Sequence, residues 1–372
     1  MSKIIRRRYS INKNILWEEL KANKKDIHIL LIRSEKMKSL RTIFCVMVLG
    51  AILTLALIGC APKETVATET SSKKVALLVL GRIDDHGWDQ AFYEGLMLAK
   101  EKYGIETAYI ETVPEADTEK YVREFASRGF DLIIGADFPF QDAIFKVAAD
   151  YPKTWFAWAG SGQTAPNVVT TEVHAQDCAY LAGMLAARMS KTGVIAGVKG
   201  YDVPDIIRDI NGYKLGARAV NPNIIVKDVF TYDWQDPVKA KDATLSLIAE
   251  KADVFYVDGN PKDEGVFAAA KEKGLYAIGS VGDQYALSPS VLLTSVIYGH
   301  PETVVKIVGD LVNGTIKSAT YNYSMKDGGC HLAPYHDFES KIPDSVKAEI
   351  EKAKQDILDG KIVVTDTVEM ID

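Results

Sequence analysis

Residues 73–104 read KKVALLVLGRIDDHGWDQAFYEGLMLAKEKYG and join two different hydrophobic patterns. The first nine residues form an almost continuous apolar run, which is typical of a strand buried in a parallel sheet. After a polar turn, apolar side chains recur at Trp88, Phe92 and Leu96, which is the spacing of one face of a helix. Gly104 is suited to cap the C-terminus of that helix. The stretch therefore predicts a buried strand followed by an amphipathic helix.

The same alternation of strand and helix continues as far as residue 282. Predicted strands cover 105–112, 130–137, 154–160, 194–200, 223–232, 252–259 and 275–282. Predicted helices cover 115–129, 140–152, 176–193, 204–222, 236–251 and 264–274. Such alternation indicates βαβ units, whose parallel sheets carry helices on both faces. Because the repeat is too long for one sheet of ordinary size, we expect an α/β protein with two doubly wound lobes.

Length and charge agree with this architecture and argue against one class of partner. The chain has 372 residues, of which 47% are hydrophobic and 25% are charged, enough for two medium-sized cores. Residues 1–59 carry twelve Lys and Arg against four Asp and Glu, which leaves a net charge of −14 for the rest of the chain. An acidic body without a basic, aromatic-interleaved stripe argues against nucleic acid as a partner.

The segment MKSLRTIFCVMVLGAILTLALIGC, residues 37–60, has the layout of an export signal. A short basic start precedes an apolar run at 43–57, which is shorter than the ~20 residues of a membrane-spanning helix. An N-terminal helix that stays in the membrane is the alternative. Residues 1–36 have no evident role, and we predict that translation begins at Met37.

The last four residues of this segment, Leu57–Cys60, resemble the bacterial lipobox. In lipobox proteins the cysteine thiol is acylated and becomes the mature N-terminus. We therefore expect 37–59 to be a lipoprotein signal peptide and Cys60 to be the lipidation site. Residues 60–74 have no aromatic side chain and only one large aliphatic side chain, that of Val66, so we expect a flexible tether to the cell membrane.

Cysteine and histidine spacing does not indicate a metal site or a cofactor. The cysteines, at positions 45, 60, 178 and 330, form no C-x-x-C pair and lie at no zinc-finger spacing from a histidine. We therefore expect neither a structural metal nor a disulfide framework. Cys178 is predicted in the core of a helix, and Cys330 has no assigned role. The scattered histidines are expected at the surface or paired in the interior; they include His86, His174, His300, His331 and His336.

Residues that follow the predicted strands should line the ligand site, because doubly wound sheets bind ligands at the carboxyl ends of their strands. The relevant stretches are RIDDHGW (82–88), DFPFQD (137–142), WAGSG (158–162), KGYDVPD (199–205), DGNPKD (258–263) and GSVGDQY (279–285). They are rich in Asp, aromatic residues and Gly, and hold only three basic residues. No phosphate-binding loop of the form G-x-x-x-x-G-K-[ST] is present. The site therefore offers flat rings for stacking and carboxylates that accept hydrogen bonds.

Seven segments of the chain together resemble one protein family. They are GRIDDHGWDQAFYEGL (81–96), LIIGADFPFQDAIF (132–145), AYLAGMLAARMSKTG (179–193), INGYKLGARAVNP (210–222), AIGSVGDQYALSP (277–289), LLTSV (292–296) and DGGCHLAP (327–334). From residue 75 to the C-terminus the sequence is similar to the basic membrane protein family of bacterial solute-binding lipoproteins, of the purine nucleoside receptor type. The resemblance implies the type I periplasmic-binding-protein fold, in which two α/β lobes joined by three crossing segments close on the ligand.

The resemblance also implies boundaries for the two lobes. Lobe I is expected at 75–172 plus 287–322, and lobe II at 173–286 plus 323–372. Each lobe is thus expected to combine residues from distant parts of the chain.

Comparison with the family motifs, position by position, implies a first group of ligand contacts. The family's opening motif, roughly D-D-K-S-F-N-Q, corresponds to DDHGWDQ here, so Trp88 stands for the stacking Phe and Asp89 for the polar Asn. Asp142 matches the carboxylate that recognises the base, and Asp283 resembles the carboxylate that faces the ribose. The family's lysine after TSV is replaced by Tyr298.

Two further groups of candidate contacts lie near strand ends. Several segments resemble the family branch that binds free bases, which implies polar positions near the cleft for Asp205, Asn211 and Asp258. The aromatic candidates for the cleft walls are Phe140, Trp158 and Tyr201. For the aromatic residues the alternative is the hydrophobic core, and for the carboxylates it is the first turn of a helix, where the macrodipole favours negative charge.

These features predict a lipid-anchored substrate-binding component of an ABC importer without catalytic activity. The replaced lysine favours a purine base as the ligand, with a purine nucleoside as the second choice. The expected partners are permease subunits and the cell membrane, which a monomer would contact from the extracytoplasmic side. Two alternatives stay open: an enzyme that hydrolyses or phosphorolyses nucleosides, and a surface lipoprotein that senses a ligand on the same fold.

Overall fold

The structure is a computed structural model that describes residues 72–160 and 162–372. These residues form one compact unit. Within them, no helix is both long enough and apolar enough to cross a membrane.

Several predictions for the N-terminal region lie outside the described residues. They concern the leader (1–36), the signal peptide (37–59), the lipidation site Cys60 and nearly all of the tether (60–74). The first strand begins at Lys74, a residue that the predicted boundaries had placed at the end of the tether.

The first lobe contains a six-stranded parallel sheet. Its strands are β1 (Lys74–Leu78), β2 (Glu106–Ile110), β3 (Leu132–Gly135), β4 (Trp155–Ala159), β5 (Val168–Val173) and β11 (Thr320–Tyr323), in the spatial order β11-β5-β4-β3-β1-β2. Helices α1 (Trp88–Tyr103) and α8 (His300–Val312) pack on one face of the sheet. Helices α2 (Thr118–Ser127) and α3 (Phe140–Asp150) pack on the other face.

The opening stretch of the sequence folds as its pattern predicts. Residues 75–78 of β1 are fully buried because helices cover both faces of the sheet. Helix α1 turns Phe92 and Leu96 toward this sheet. It ends at Gly104, which adopts the left-handed conformation (φ 64°) and donates its N–H to the carbonyl oxygen of Lys100 at 2.9 Å.

The second lobe contains a mixed six-stranded sheet. Its strands are β6 (Val194–Lys199), β7 (Ile225–Phe230), β8 (Val254–Tyr256), β9 (Tyr276–Val281), β10 (Leu292–Tyr298) and β12 (Cys330–Leu332), in the spatial order β12-β10-β9-β8-β6-β7. All neighbours are parallel except β12, which runs antiparallel to β10. One face carries α4 (Gln176–Met189), α5 (Pro204–Val220) and α9 (Asp344–Leu358), and the other carries α6 (Pro237–Ala249) and α7 (Asp263–Lys273).

The chain passes between the lobes three times, as predicted for this fold. The crossings lie between β5 and α4, between β10 and α8, and between β11 and β12. One predicted boundary is wrong, because residues 287–298 were assigned to lobe I. Strand β10 pairs with β9 and β12, so this segment belongs to lobe II and the second crossing lies at Gly299.

A disulfide joins Cys178 of α4 to Cys330 of β12, with the two Cα atoms 6.1 Å apart. The prediction of no disulfide was therefore wrong. The two cysteines are 152 residues apart in sequence, and they meet only because α4 and β12 pack together after the first and third crossings. Spacing motifs cannot reveal a pair of this kind.

The two lobes touch at the edge of the cleft. The backbone N–H of Trp88, at the start of α1, donates to the carbonyl oxygen of Gly259 in lobe II at 3.0 Å. A Cβ atom at position 87 would overlap that same carbonyl group. The glycine therefore permits a close approach of backbone to backbone, and the cleft is closed at this edge.

Candidate ligand cleft between the lobes

A cavity of about 280 Å³ lies between the lobes at the carboxyl ends of both sheets. This is the position at which doubly wound sheets bind ligands. Aromatic rings and carboxylates dominate its lining. The rings belong to Trp88, Phe138, Tyr201 and Trp234, and the carboxylates to Glu115, Asp137, Asp205, Asp233 and Asp258.

The aromatic rings come from both lobes. In lobe I the indole N–H of Trp88 donates to the carbonyl oxygen of Ala136 at 2.8 Å, which holds the ring in place. In lobe II the rings of Tyr201 and Trp234 lie 5.0 Å apart between centroids. Trp234 packs directly over Gly200, where any Cβ atom would overlap the indole.

Two of the lining carboxylates have cationic partners that lie behind the cavity wall. Asp258 accepts a hydrogen bond from the N–H of Gly200 at 2.6 Å, and its other oxygen lies 2.6 Å from Nζ of Lys262. Asp205 is paired with Arg208. Burial nevertheless raises the pKa of Asp205.

The remaining lining carboxylates have no cationic partner in the part of the chain that the structure describes. For Glu115, Asp137 and Asp233 no ion pair exists within residues 72–160 and 162–372. Among the described residues that line the cavity there is no Lys or Arg. The site therefore attracts hydrogen-bond donors and repels anions such as phosphate.

A small inner chamber of about 30 Å³ adjoins the cavity at Trp88, Asp205 and Asp258. It also contacts His300, whose ring stacks on Phe92 with 4.6 Å between centroids. Neither ring nitrogen of His300 has a hydrogen-bond partner among the described residues, and burial lowers the pKa of His300 to about 3. The imidazole is therefore neutral, with one donor and one acceptor unused.

Thr171, on β5, contributes another unpaired group to the inner chamber. Its hydroxyl oxygen is buried and has no partner in the described part of the chain. A chamber of this volume has room for one or two waters or for a small polar edge of a ligand. Because unpaired buried polar groups are costly, these atoms indicate that something polar enters the chamber.

Comparison with known proteins identifies the kind of molecule that has this cleft. The profile of the family described as "ABC transporter substrate-binding protein PnrA-like" matches residues 72–367. The chain belongs to this family. A purine-binding protein from Brucella abortus (strain 2308) is 30% identical over 294 residues, which cover 78% of this chain and 82% of that relative.

Two further comparisons agree with the family assignment. The ABC transporter nucleoside-binding protein BmpA from Lactococcus lactis subsp. cremoris (strain MG1363) is 28% identical over 344 residues, which cover 85% of this chain and 96% of that protein. The crystal structure of ABC transporter solute-binding proteins from Aeropyrum pernix K1 aligns with a TM-score of 0.71 at 22% identity. That alignment covers 79% of this chain and 94% of the other and shows a shared fold.

This PnrA-like protein is therefore the substrate-binding component of an ABC transporter. It binds a small molecule on the extracytoplasmic side for a permease and performs no catalysis. The nucleoside-processing enzyme that the sequence left open as an alternative is set aside by this assignment.

The structure brings part of the predicted ligand contacts of this binding protein together. Trp88, Tyr201, Asp205 and Asp258 all line the cavity. Tyr298 lines the inner chamber and is not among the residues that line the larger cavity.

Three predicted contacts lie behind the cavity wall. Asp89 is buried on α1 and accepts a hydrogen bond from the N–H of Gly81 at 2.8 Å. Phe140 is fully buried in the core beneath α3, and Trp158 is 2% exposed in the same core. For these two aromatic residues the structure corrects the prediction of a cleft wall, because the core alternative describes their position.

Three other predicted contacts lie away from the cavity. Asp142 is exposed on the solvent side of α3. Asn211 is fully buried, and its side chain binds the backbone of the C-terminal segment at residues 367–371. Asp283 lies on a separate groove and accepts a hydrogen bond from His336 Nε2 at 2.7 Å. The family resemblance implied that these three side chains lie in the cleft, and the structure places them elsewhere.

The sequence analysis missed Phe138, Asp137, Trp234 and His300 as residues of the site. Trp234 follows β7 in the stretch TYDWQ, so the same rule on strand ends would have found it. Phe138 is two residues before the predicted Phe140, and only the geometry of the turn shows which ring faces the cavity. His300 was expected to be paired or at the surface, but it is buried and has no hydrogen-bond partner among the described residues.

Proposed function

We propose that this protein binds a purine base in the cavity between its lobes and delivers it to an ABC permease. One observation carries the proposal: aromatic rings from both lobes enclose a cavity lined by five carboxylates and two amide side chains, and none of the described residues that line it is basic. A planar, neutral heterocycle with N–H donors fits this lining. Stacking on an aromatic ring contributes about 1–3 kcal/mol per base.

The same arrangement explains how a ligand would close the lobes. Trp88 and Phe138 belong to lobe I, whereas Tyr201 and Trp234 belong to lobe II. A base between these rings contacts both lobes at once. It therefore stabilises the closed form relative to the open form, and a permease can recognise the closed form.

The size of the cavity supports a free base more than a nucleoside. Its volume of about 280 Å³ lies just below the roughly 300–1,000 Å³ of ordinary ligand sites. The inner chamber adds only about 30 Å³, and the rings of Tyr298 and His300 bound it. The replacement of the family's lysine by Tyr298 points in the same direction.

The proposal includes an anchor in the membrane. We infer that Cys60 is acylated after removal of residues 37–59 and that residues 60–74 link the binding unit to the membrane as a monomer next to its permease. The lipobox-like sequence Leu57–Cys60 supports this inference. Labelling of the protein in cells with a palmitate analogue should be lost in Cys60→Ser, and persistent labelling of that variant would contradict the inference.

A thermal-shift panel tests the ligand. Adenine, hypoxanthine, adenosine, inosine, a pyrimidine and glucose would each be added to the protein over a range of concentrations. A base at 100 times its dissociation constant should stabilise the protein by about 2.7 kcal/mol. Glucose is the most informative competitor, because sugar hydroxyls also donate to carboxylates. Stabilisation by glucose and by no purine would contradict the proposal.

A surface sensor remains the second candidate for the role in the cell. Deletion of the gene should abolish uptake of the stabilising base if the protein serves a permease. Intact uptake together with a lost transcriptional response would favour the sensor.

A further inference from the structure

The inner chamber continues the cavity into the interior of the protein. Trp88, Asp205 and Asp258 line both spaces, so the chamber adjoins the part of the cavity where these side chains would contact a ligand. Its volume of about 30 Å³ has room for one or two groups of the size of a water molecule. The chamber can therefore hold one edge of a flat base but not a whole base.

Segments that connect the two lobes contribute to the lining of the chamber. Ala175 lies in the first crossing, and His300 directly follows the second crossing at Gly299. The second crossing is joined to the third, because the backbone N–H of Gly299 donates to the carbonyl oxygen of Gly329 at 2.8 Å. A ligand atom in the chamber would thus contact the segments between the lobes as well as the lobes themselves.

Aromatic packing fixes the side chain of His300. Its ring stacks on Phe92 and meets the ring of Trp88 edge-on, with 4.5 Å between the centroids of the second pair. The residue is 3% exposed, and no ion pair within residues 72–160 and 162–372 includes it. A charged imidazolium without a counter-ion would be costly at this depth, so the ring is neutral and carries one N–H donor and one bare nitrogen.

The groups around His300 leave this N–H without an acceptor. Neither ring nitrogen is bonded to any described residue, and the two carboxylates that line the chamber already have cationic partners. The hydroxyl of Thr171, a residue that is 5% exposed, is also unpaired in the described part of the chain, and it can rotate to donate or to accept. Because buried N–H and O–H groups rarely stay unpaired in native proteins, both groups are available to a ligand.

We propose that His300 determines which edge of a purine enters the inner chamber: its N–H donates to a ring nitrogen of the base, and the hydroxyl of Thr171 binds the substituent beside that nitrogen. The ligands that fit are purines with a bare ring nitrogen next to an amino or oxo group. Adenine and guanine both present such an edge, with N7 beside the group at C6. In adenine, N1 is a second ring nitrogen next to the amino group. This inference rests on the proposed function, because it assigns atoms of the bound base to the chamber.

Analogues of adenine in which one ring nitrogen is replaced by C–H test the inference on the unaltered full chain. The dissociation constants of adenine and of its 1-deaza, 3-deaza and 7-deaza analogues would be measured by calorimetry at pH 8, where all four compounds are uncharged. Either the 1-deaza or the 7-deaza analogue should bind about 5- to 150-fold more weakly than adenine, because the buried N–H of His300 then stays unpaired. The affinity for 3-deazaadenine should match that for adenine, since N3 does not lie beside the amino group.

Two variants and a control identify the donor. His300→Phe keeps a flat ring but has no N–H, so it should bind adenine as weakly as the wild type binds the weak analogue. It should not distinguish adenine from that analogue, because the interacting pair is already lost. Thr171→Val removes only the hydroxyl and should weaken adenine binding while the preference over the analogue remains. His331→Phe, the same change at an exposed histidine, should bind all four compounds like the wild type.

The outcomes separate this inference from the proposed function. Equal affinities of the wild type for adenine and its three analogues, or a loss confined to 3-deazaadenine, would overturn the inference and leave purine binding intact. A preference for adenine that persists in His300→Phe, or unchanged adenine binding by Thr171→Val, would also overturn it. If hypoxanthine binds but adenine does not, the same comparison is made with 7-deazahypoxanthine. No binding of either base would overturn both proposals. The analogue series decides the question on the wild type even if His300→Phe does not fold.

Discussion

At the scale of single residues, the site depends on polar groups that have no partner of their own. His300 is the clearest example, because its ring is buried between aromatic side chains and neither nitrogen is bonded in the described part of the chain. Residues of this kind cost free energy in the unliganded protein, and that cost is recovered when a ligand or water binds them. Buried polar atoms without a hydrogen-bond partner therefore help to identify the functional groups of the cleft.

Protonation of His300 provides the first prediction at this scale. The folded protein binds this proton only below about pH 3, whereas the unfolded chain binds it below its ordinary pKa of 6.5. Acid therefore favours unfolding of the wild type by about 1.4 kcal/mol for each pH unit between 6.5 and 3. In His300→Phe this contribution is absent, so the free-energy difference between wild type and variant should grow as the pH falls.

Urea denaturation at pH 6.5, 5.5 and 4.5 measures this difference. His331→Phe replaces an exposed histidine and should show a constant difference from the wild type across the same range. A constant difference for His300→Phe would mean that His300 is accessible to protons in the folded protein.

The residue scale also shows how far sequence reasoning reaches. Tyr201 was predicted from its place after a strand, whereas the family resemblance implied Trp88, Asp205 and Asp258, which also lie in stretches that follow predicted strands. The predicted ligand contact of Phe140 was wrong for a physical reason. The residue follows the turn after β3, and its ring packs in the core. Which ring of the pair at 138 and 140 faces the cavity depends on backbone direction, which composition does not encode.

At the scale of elements, helix α5 has a different role from the one that the family motif implied. Asn211 donates to the carbonyl oxygens of Thr367 and Glu369 at 3.2 and 2.8 Å, and it accepts from the N–H of Ile371 at 3.1 Å. Lys214, one turn further, donates to the carbonyl oxygen of Ile371 at 2.7 Å. The first turn of the helix lines the cavity through Asp205 and Ile206, whereas Asn211 and Lys214 bind the C-terminal segment to lobe II.

This arrangement predicts the effect of Asn211→Ala. Loss of three hydrogen bonds, each with a net contribution of about 1 kcal/mol, should lower the free energy of unfolding by roughly 2–4 kcal/mol. Hydrogen exchange at the amide of Ile371 should become fast, while the affinity for a purine stays unchanged. Asn223→Ala, at an exposed position, should change neither quantity.

The opposite result for Asn211→Ala would support the predicted contact between Asn211 and the ligand. A large loss of ligand affinity at unchanged stability would show that its side chain reaches the ligand in the bound form. Calorimetry and exchange measured on the same sample distinguish the two roles.

Packing of elements also explains the two errors in the predicted organisation. The alternation of strands and helices predicted two doubly wound lobes, since hydrophobic period and strand length are local properties. The assignment of residues 287–298 and the disulfide between Cys178 and Cys330 depend on which distant elements are neighbours. Pairing of β10 with β9 and packing of α4 against β12 are determined by tertiary contacts, and local patterns do not contain them.

At the scale of the whole molecule, the structure combines two similar lobes, three crossing segments and a cavity at the carboxyl ends of both sheets. Each lobe contributes both carboxylates and aromatic rings to the lining of the cavity. A ligand that stacks on one lobe and donates to the other couples the two lobes, which is the physical basis of a closed state that a permease can recognise. The family assignment and this geometry describe the same clamp-like function.

The central claim is that a purine base binds between aromatic rings of opposite lobes. Calorimetric titration of adenine into the full chain at pH 6, with and without excess glucose, tests it most directly, together with Trp234→Ala and the exposed control Tyr109→Ala. We expect one adenine per chain, no competition by glucose, and a dissociation constant raised about 5- to 150-fold by Trp234→Ala alone, as the loss of roughly 1–3 kcal/mol of stacking requires. Saturable binding of glucose without binding of adenine, or an unchanged dissociation constant in Trp234→Ala, would contradict the account.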